Sequence, residues 1–161
     1  MKIRTGIIAL LFLLIVFVLS LSLSPRMAPA VVFTSINGDK IELKKLKGKP
    51  VIVTFWATDC ASCIQEIPHL IALYQQFHPQ GLEIIAVAMA YDPPNHVISM
   101  TKAKQIPYSV ALDIKGNHAH AFGNVQWTPT TFLISPTGAI VIKKTGLLDI
   151  TDMQQRIKNF L

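Results

Sequence analysis

Cysteine is scarce in this chain: its 161 residues hold two, Cys60 and Cys63. With no further pair, a zinc site built from two pairs of thiolates is excluded. A disulfide closing so short a loop would also stabilise a fold little by the chain-entropy argument. Acidic residues are few, nine against fifteen Lys and Arg, which leaves a net charge of +6. The densest basic stretch, Lys40 to Lys49, has no aromatic residue interleaved with it. It is expected to be a solvated turn region, and no nucleic-acid partner is expected. Internal repeats and low-complexity segments are absent, and the length suits one ordinary domain plus a short appendage.

Charge is missing altogether from Gly6 to Leu23, eighteen residues interrupted only by Ser20 and Ser22. At about 1.5 Å per residue, a helix of this length just crosses a hydrocarbon core. Lys2 and Arg4 precede it and almost no charge follows it closely, which places the N-terminus in the cytoplasm and the rest outside. Ala28-Pro29-Ala30 offers a small-x-small cleavage pattern. However, the apolar run exceeds the usual signal-peptide core of about 7–15 residues, and a proline inside the site is unfavourable. A retained single-pass anchor is therefore expected, in a bacterial inner membrane with the C-terminal part on the periplasmic or exported side. No cysteine near the end of the run suggests a lipoprotein. Residues 1–30 are read as anchor and tether, and residues 31–161 as one domain.

In that domain, Val31–Thr34 and Ile41–Leu43 flank Asn37-Gly38-Asp39 and predict a β-hairpin. Val51–Ala57, apolar and rich in β-branched and aromatic residues, predicts a strand covered on both faces. From Cys60 the spacing changes: Ile64, Ile67, Leu70, Ile71, Tyr74 and Phe77 mark one face of a helix ending near Pro79-Gln80-Gly81, with Pro68 expected to kink it. Leu82–Met89 predicts a second buried strand, parallel to the first. A weaker helix from Pro93 to about Gln105, a strand at Val110–Leu112 and a helical turn at Asn117–Phe122 follow. Thr131–Ile134 and Ala139–Ile142 around Pro136-Thr137-Gly138 predict a hairpin, and a last helix begins at Asp149 or Thr151. The order gives a three-layer α/β sandwich around a mixed sheet.

Cys60 and Cys63 fall where the strand pattern yields to the helix. Unpaired amides and the positive end of the dipole at a helix N-terminus favour thiolate over thiol, and a cysteine one turn on is close enough for a disulfide. This is the geometry of a reversible dithiol. Glu66 shares its side of the helix; such a carboxylate is either solvated or, if packed against an apolar site, able to carry a proton. His118 and His120, with His69 and His96, are read as scattered surface histidines, so no metal site is expected.

Several separated stretches carry a resemblance. They are Val51-Ile-Val-Thr-Phe-Trp-Ala-Thr-Asp-Cys-Ala-Ser-Cys63, Glu66-Ile-Pro68, Gly81-Leu-Glu-Ile-Ile-Ala-Val87, Thr128-Pro-Thr-Thr-Phe-Leu-Ile134 and Pro136-Thr-Gly138. In this order they resemble the membrane-anchored TlpA/ResA/CcmG-like thiol-disulfide oxidoreductases of the thioredoxin-like superfamily, over roughly residues 31–161. The resemblance implies a thioredoxin-like fold with an N-terminal β-hairpin, an insertion at about residues 91–122 and no bound cofactor beyond the Cys60–Cys63 disulfide. It implies Cys60 as attacking thiol, Cys63 as resolving thiol and Glu66 as proton carrier, where Thr54 replaces the buried aspartate of ordinary thioredoxins. Pro129 matches the family's cis-proline, and Thr128 would pair with a bound peptide; Trp56, expected to pack in the core or beside the site, is grouped with them as substrate-binding.

Two departures stand out: Asp59 where an aromatic often precedes the first cysteine, and Ala61-Ser62 in place of a proline-containing dipeptide. An anion beside Cys60 disfavours its thiolate, which points toward a less oxidising site. The expected partners are disulfide-containing exported proteins, with apocytochrome c the family's best-known case, and a membrane thiol reductase as electron donor. Competing expectations are a copper metallochaperone, since thiolates suit Cu(I), and a thiol peroxidase, whose solitary cysteine after a proline-rich loop is absent here.

Overall fold

The computed structural model describes Leu14 and residues 25–161. The anchor expected at Gly6–Leu23 lies outside the described residues, Leu14 apart; among those described, no helix is long and apolar enough to cross a membrane. Strands β1 (Val32–Thr34) and β2 (Lys40–Glu42) form the expected antiparallel hairpin as a two-stranded sheet of its own. Ser35 closes its turn by accepting from the Asn37 and Asp39 amides, and Gly38 supplies the positive φ of +92°.

Val51–Trp56 is β3, buried at every position. After Cys60 the chain enters α1 (Ala61–Phe77), which runs through Pro68 as one helix and ends in a short 3-10 turn and Gly81. Next come β4 (Glu83–Ala88), α2 (Pro94–Ala103), β5 (Ser109–Leu112) and α3 (Asn117–Ala121). The chain closes with β6 (Thr130–Ile134), β7 (Ile140–Thr145) and α4 (Ile150–Lys158), the last capped by the Asp149 carboxylate accepting from the Asp152 amide. The sheet order is β5-β4-β3-β6-β7, with β3, β4 and β5 parallel and β6 and β7 antiparallel to their neighbours.

Alternation along β3 divides the core. Ile52 and Trp56 pack with α1, Met153 and Ile157 on one face. Val51, Val53 and Phe55 pack with Phe33, Phe122 and Phe132 beneath the hairpin and α3 on the other. Helix layer, sheet, and hairpin layer make the expected α/β sandwich.

Two details differ from the sequence reading. The inward face of α1 is Cys63, Glu66, Ile67, Leu70, Leu73 and Phe77, whereas Ile64, Ile71 and Tyr74 are half-buried. The expected face is rotated: the observed stripe includes the carboxylate Glu66, which an apolar pattern passes over, and Leu73 in place of its neighbour Tyr74. Arg26 to Ala28, read as tether, also belongs to the domain: the Ile140 amide donates to the Arg26 carbonyl and the Ala28 amide to the Gly138 carbonyl.

Leu73 is fully buried while Ile71 is not. Leu73→Ala is expected to lower the unfolding free energy by about 2–5 kcal/mol in urea denaturation. Ile71→Ala should cost clearly less, and equal losses would contradict the observed face.

Candidate active site

Parallel β3 and β4 bring the loops after both strands to the same end of the sheet. Antiparallel β6 begins at that end: Thr130 pairs with Phe55, so Pro129 stands beside Trp56. The site is assembled from these three chain segments and the start of α1.

Cys60 is the residue before α1, in extended conformation (ψ 104°), and its sulfur accepts from the Cys63 amide at 3.2 Å. It takes a capping place normally held by an oxygen, one of the unpaired amides being satisfied by sulfur. The two cysteines form a disulfide with 5.2 Å between their Cα atoms. Their surroundings are unequal. Cys63 is 3% exposed, facing inward with Glu66, whereas Cys60 is half-buried at the surface. The Ser62 hydroxyl lies 3.5 Å from the Cys60 sulfur.

Glu66 is 2% exposed and its Oε1 accepts from the Leu148 amide at 2.9 Å, across 82 residues of chain. Burial raises its carboxyl above the ordinary glutamate value; the Leu148 hydrogen bond and His69 on the exposed side of α1 oppose that rise. With Thr54, Trp56, Cys63, Tyr108 and Pro129 it lines a cavity of about 10 Å³, too small for a substrate side chain. Burial, with the Glu66 charge adding to it, also raises the Tyr108 phenol. Thr54 and Thr131 share a hydrogen bond of 2.8 Å between their hydroxyls, so the position read as replacing a buried aspartate is neutral and satisfied. Trp56 is buried, and its Nε1 has no hydrogen-bond partner among the described residues.

The Thr128–Pro129 bond is cis. The Pro129 carbonyl accepts from the Gly146 amide at 2.8 Å, so the loop after β7 holds both the proline and, through Leu148, Glu66. Thr128 is half-exposed beside it. Asp59 is exposed to solvent, where its charge is screened and acts on Cys60 less than its place in the sequence suggests. His118 packs on Phe33, with 4.8 Å between ring centroids, on the face of the sheet away from the dithiol.

Sequence reasoning missed four features. Asp92 is a buried carboxylate bonded to Thr58. Trp127, next to Thr128, is 72% exposed, and its carbonyl is fixed by the Thr130 hydroxyl at 2.7 Å. Tyr108 and the Leu148 amide complete the surroundings of Glu66. Trp127 was detectable as an aromatic residue flanking the proline loop. The Leu148 contact leaves no local signal, because any residue except proline supplies an amide.

A thioredoxin-like α/β sandwich with a C-x-x-C disulfide at a helix start, opposite a cis-proline, defines a thiol-disulfide oxidoreductase. Residues 25–143 match the AhpC/TSA family, and the chain belongs to that family. It is 38% identical over 121 residues to the thiol-disulfide oxidoreductase ResA of Bacillus subtilis, covering 75% of this chain and 66% of that protein. To the ResA of Bacillus cereus it is 40% identical over 119 residues, covering 74% of this chain and 68% of that one. A solved thiol:disulfide interchange protein of the thioredoxin family from Chlorobium tepidum superposes with a TM-score of 0.78 at 25% identity, covering 85% of this chain and 97% of that one.

A carboxyl whose folded value is raised holds its proton to higher pH in the folded than in the unfolded chain. The stability it contributes is fully present below the ordinary glutamate value and is lost as pH rises through the folded value. Glu66→Gln keeps an acceptor for the Leu148 amide and does not titrate. The melting temperature of the oxidised variant is therefore expected to gain on wild type as pH rises from about 4 toward neutrality. A difference independent of pH would contradict the burial-driven shift.

Proposed function

We propose that this thiol-disulfide oxidoreductase works as a reductant of disulfides in exported proteins, with Cys60 attacking and Cys63 resolving. The observation that carries this reading is the asymmetry of the pair: one sulfur reaches the surface, and the other is sealed beside a carboxylate whose affinity for protons is raised. The reduced Cys60 thiolate attacks a substrate disulfide, forming a mixed disulfide and releasing one substrate thiolate. Cys63 gives its proton to Glu66 and attacks the Cys60 sulfur. The second substrate thiolate leaves, and the enzyme retains the Cys60–Cys63 disulfide. Thr128 and Pro129 offer the backbone against which the substrate peptide aligns. Trp56 serves from beneath, as a wall behind Cys63. The dithiol is the redox carrier, without a further cofactor, and a membrane thiol reductase restores it.

The apolar run ahead of residue 24 supports an inner-membrane anchor with the domain on the periplasmic or exported side. Residues 1–30 then supply anchor and tether and residues 31–161 the catalytic domain, but Arg26–Ala28 is bonded to the domain, so the free tether is short. A substrate such as apocytochrome c, with two cysteines close in sequence, suits a dithiol reductant.

Cys63→Ala in the full chain is expected to accumulate exported proteins disulfide-bonded to Cys60, recoverable by diagonal electrophoresis. Recovery of apocytochrome c would support the maturation role, whereas no mixed disulfide would overturn the oxidoreductase assignment of Cys60. Glu66→Gln is expected to slow release of a preformed mixed disulfide by about 10²-fold at neutral pH in stopped flow, leaving its formation by Cys60 nearly unchanged.

A further inference from the structure

Asp92 follows β4 in the Tyr91-Asp92-Pro93 turn, immediately before α2. An aspartate there would ordinarily cap the helix it precedes. This one does not: the N-cap is Pro93, and the start of α2 has no side-chain cap. The Asp92 carboxylate turns instead to a residue 34 positions back. Its Oδ2 accepts from the Thr58 amide at 2.7 Å and its Oδ1 from the Thr58 hydroxyl at 2.6 Å. Both oxygens are used on one residue, and the side chain is 6% exposed. Burying a carboxylate is costly, and short charge-assisted bonds offset the loss of water.

Thr58 is the second residue of the turn that delivers Cys60, closed by the Cys60 amide donating to the Ala57 carbonyl at 3.3 Å. The Cα atoms of Thr58 and Cys60 are at most about 7.2 Å apart, so the Asp92 carboxylate is bonded to the chain two residues before the attacking sulfur. We propose that Asp92 is a positioning residue for the reaction: by gripping Thr58 it fixes the turn that presents Cys60, and its charge behind that turn keeps the dithiol reducing. The inference rests on Cys60 being the attacking thiol.

Other charged and titratable groups meet at this turn. Asp59, on the same turn, is exposed. His96 from α2 and Lys104 just after it border, with Thr58, an open groove beside it. Glu66 lies on the Cys63 side. The start of α1 and the Cys63 amide favour a Cys60 thiolate. Asp92 opposes them from a fixed, largely water-free position, where a charge is less screened than that of Asp59.

Asp92→Asn separates charge from grip, since its amide oxygen still accepts from Thr58. In the full chain equilibrated with glutathione, enzyme disulfide and two glutathione thiols exchange with enzyme dithiol and glutathione disulfide. Asp92→Asn is expected to shift this equilibrium toward the dithiol by about three- to tenfold and to lower the pH midpoint for alkylation of Cys60. Thr58→Val, which loses the hydroxyl bond and keeps the charge, is expected to slow substrate reduction severalfold while moving the equilibrium less than Asp92→Asn does. Wild-type equilibrium and alkylation midpoint in a folded Asp92→Asn overturn the proposal, as does a wild-type rate in Thr58→Val. Mapping the alkylated cysteine in reduced wild type tests the premise separately: label on Cys63 would refute the role of Cys60 whatever the variants do.

Discussion

Glu66 is a carboxylate with almost no access to water, and its surroundings must satisfy it without neutralising it. The structure gives it one backbone amide, from Leu148, and no cation in direct contact among the described residues. One bond is too little to offset desolvation, so the carboxyl stays raised. Its neighbours fit that requirement. Thr54 and Thr131 satisfy each other, Tyr108 holds its own proton tightly, and Cys63 is the group in the cavity able to exchange a proton with Glu66 during turnover. A second full charge beside Glu66 would remove the property that makes it a usable acceptor.

The sheet brings this arrangement together from distant parts of the chain. Parallel β3 and β4 direct the Cys60 turn and the Asp92 turn to the same end. Antiparallel β6 starts there and carries Pro129, and β7 runs back to it, so Gly146 and Leu148 reach the proline and Glu66. Each turn bordering the dithiol is tied by a backbone amide to another turn or to α1: Thr58 to Asp92, Gly146 to Pro129, Leu148 to Glu66. Such ties hold reacting groups in place on loops that would otherwise be the most mobile parts of a domain.

Much of this was legible from residue patterns. The β-branched run at Val51, the change of period at Cys60 and the Pro-Thr-Gly turn at 136–138 are local signals, and each produced its element. The buried face of α1 departs from the apolar pattern because Glu66, polar in any hydrophobic pattern, is among its most buried members. Contacts through backbone amides, such as Leu148 to Glu66, carry no residue code at all. Asp92 had a local explanation in its Asp-Pro turn, and only the fold shows that its side chain turns away from α2. Arg26–Ala28 looked like tether because two prolines flank it, and its bonds to the β6–β7 turn come from backbone geometry.

Glu66 is a proton acceptor of raised affinity beside the buried sulfur, and the direct test is a carbon-13 titration of its side-chain carboxyl in the oxidised protein. The expected midpoint lies above the ordinary glutamate value of about 4.3. Replacing Leu148 by proline, which removes the amide donor, should raise the midpoint further if the fold is retained. A midpoint at or below the ordinary value in the wild type would contradict the account, because Glu66 would then have no advantage over water as acceptor for the Cys63 proton.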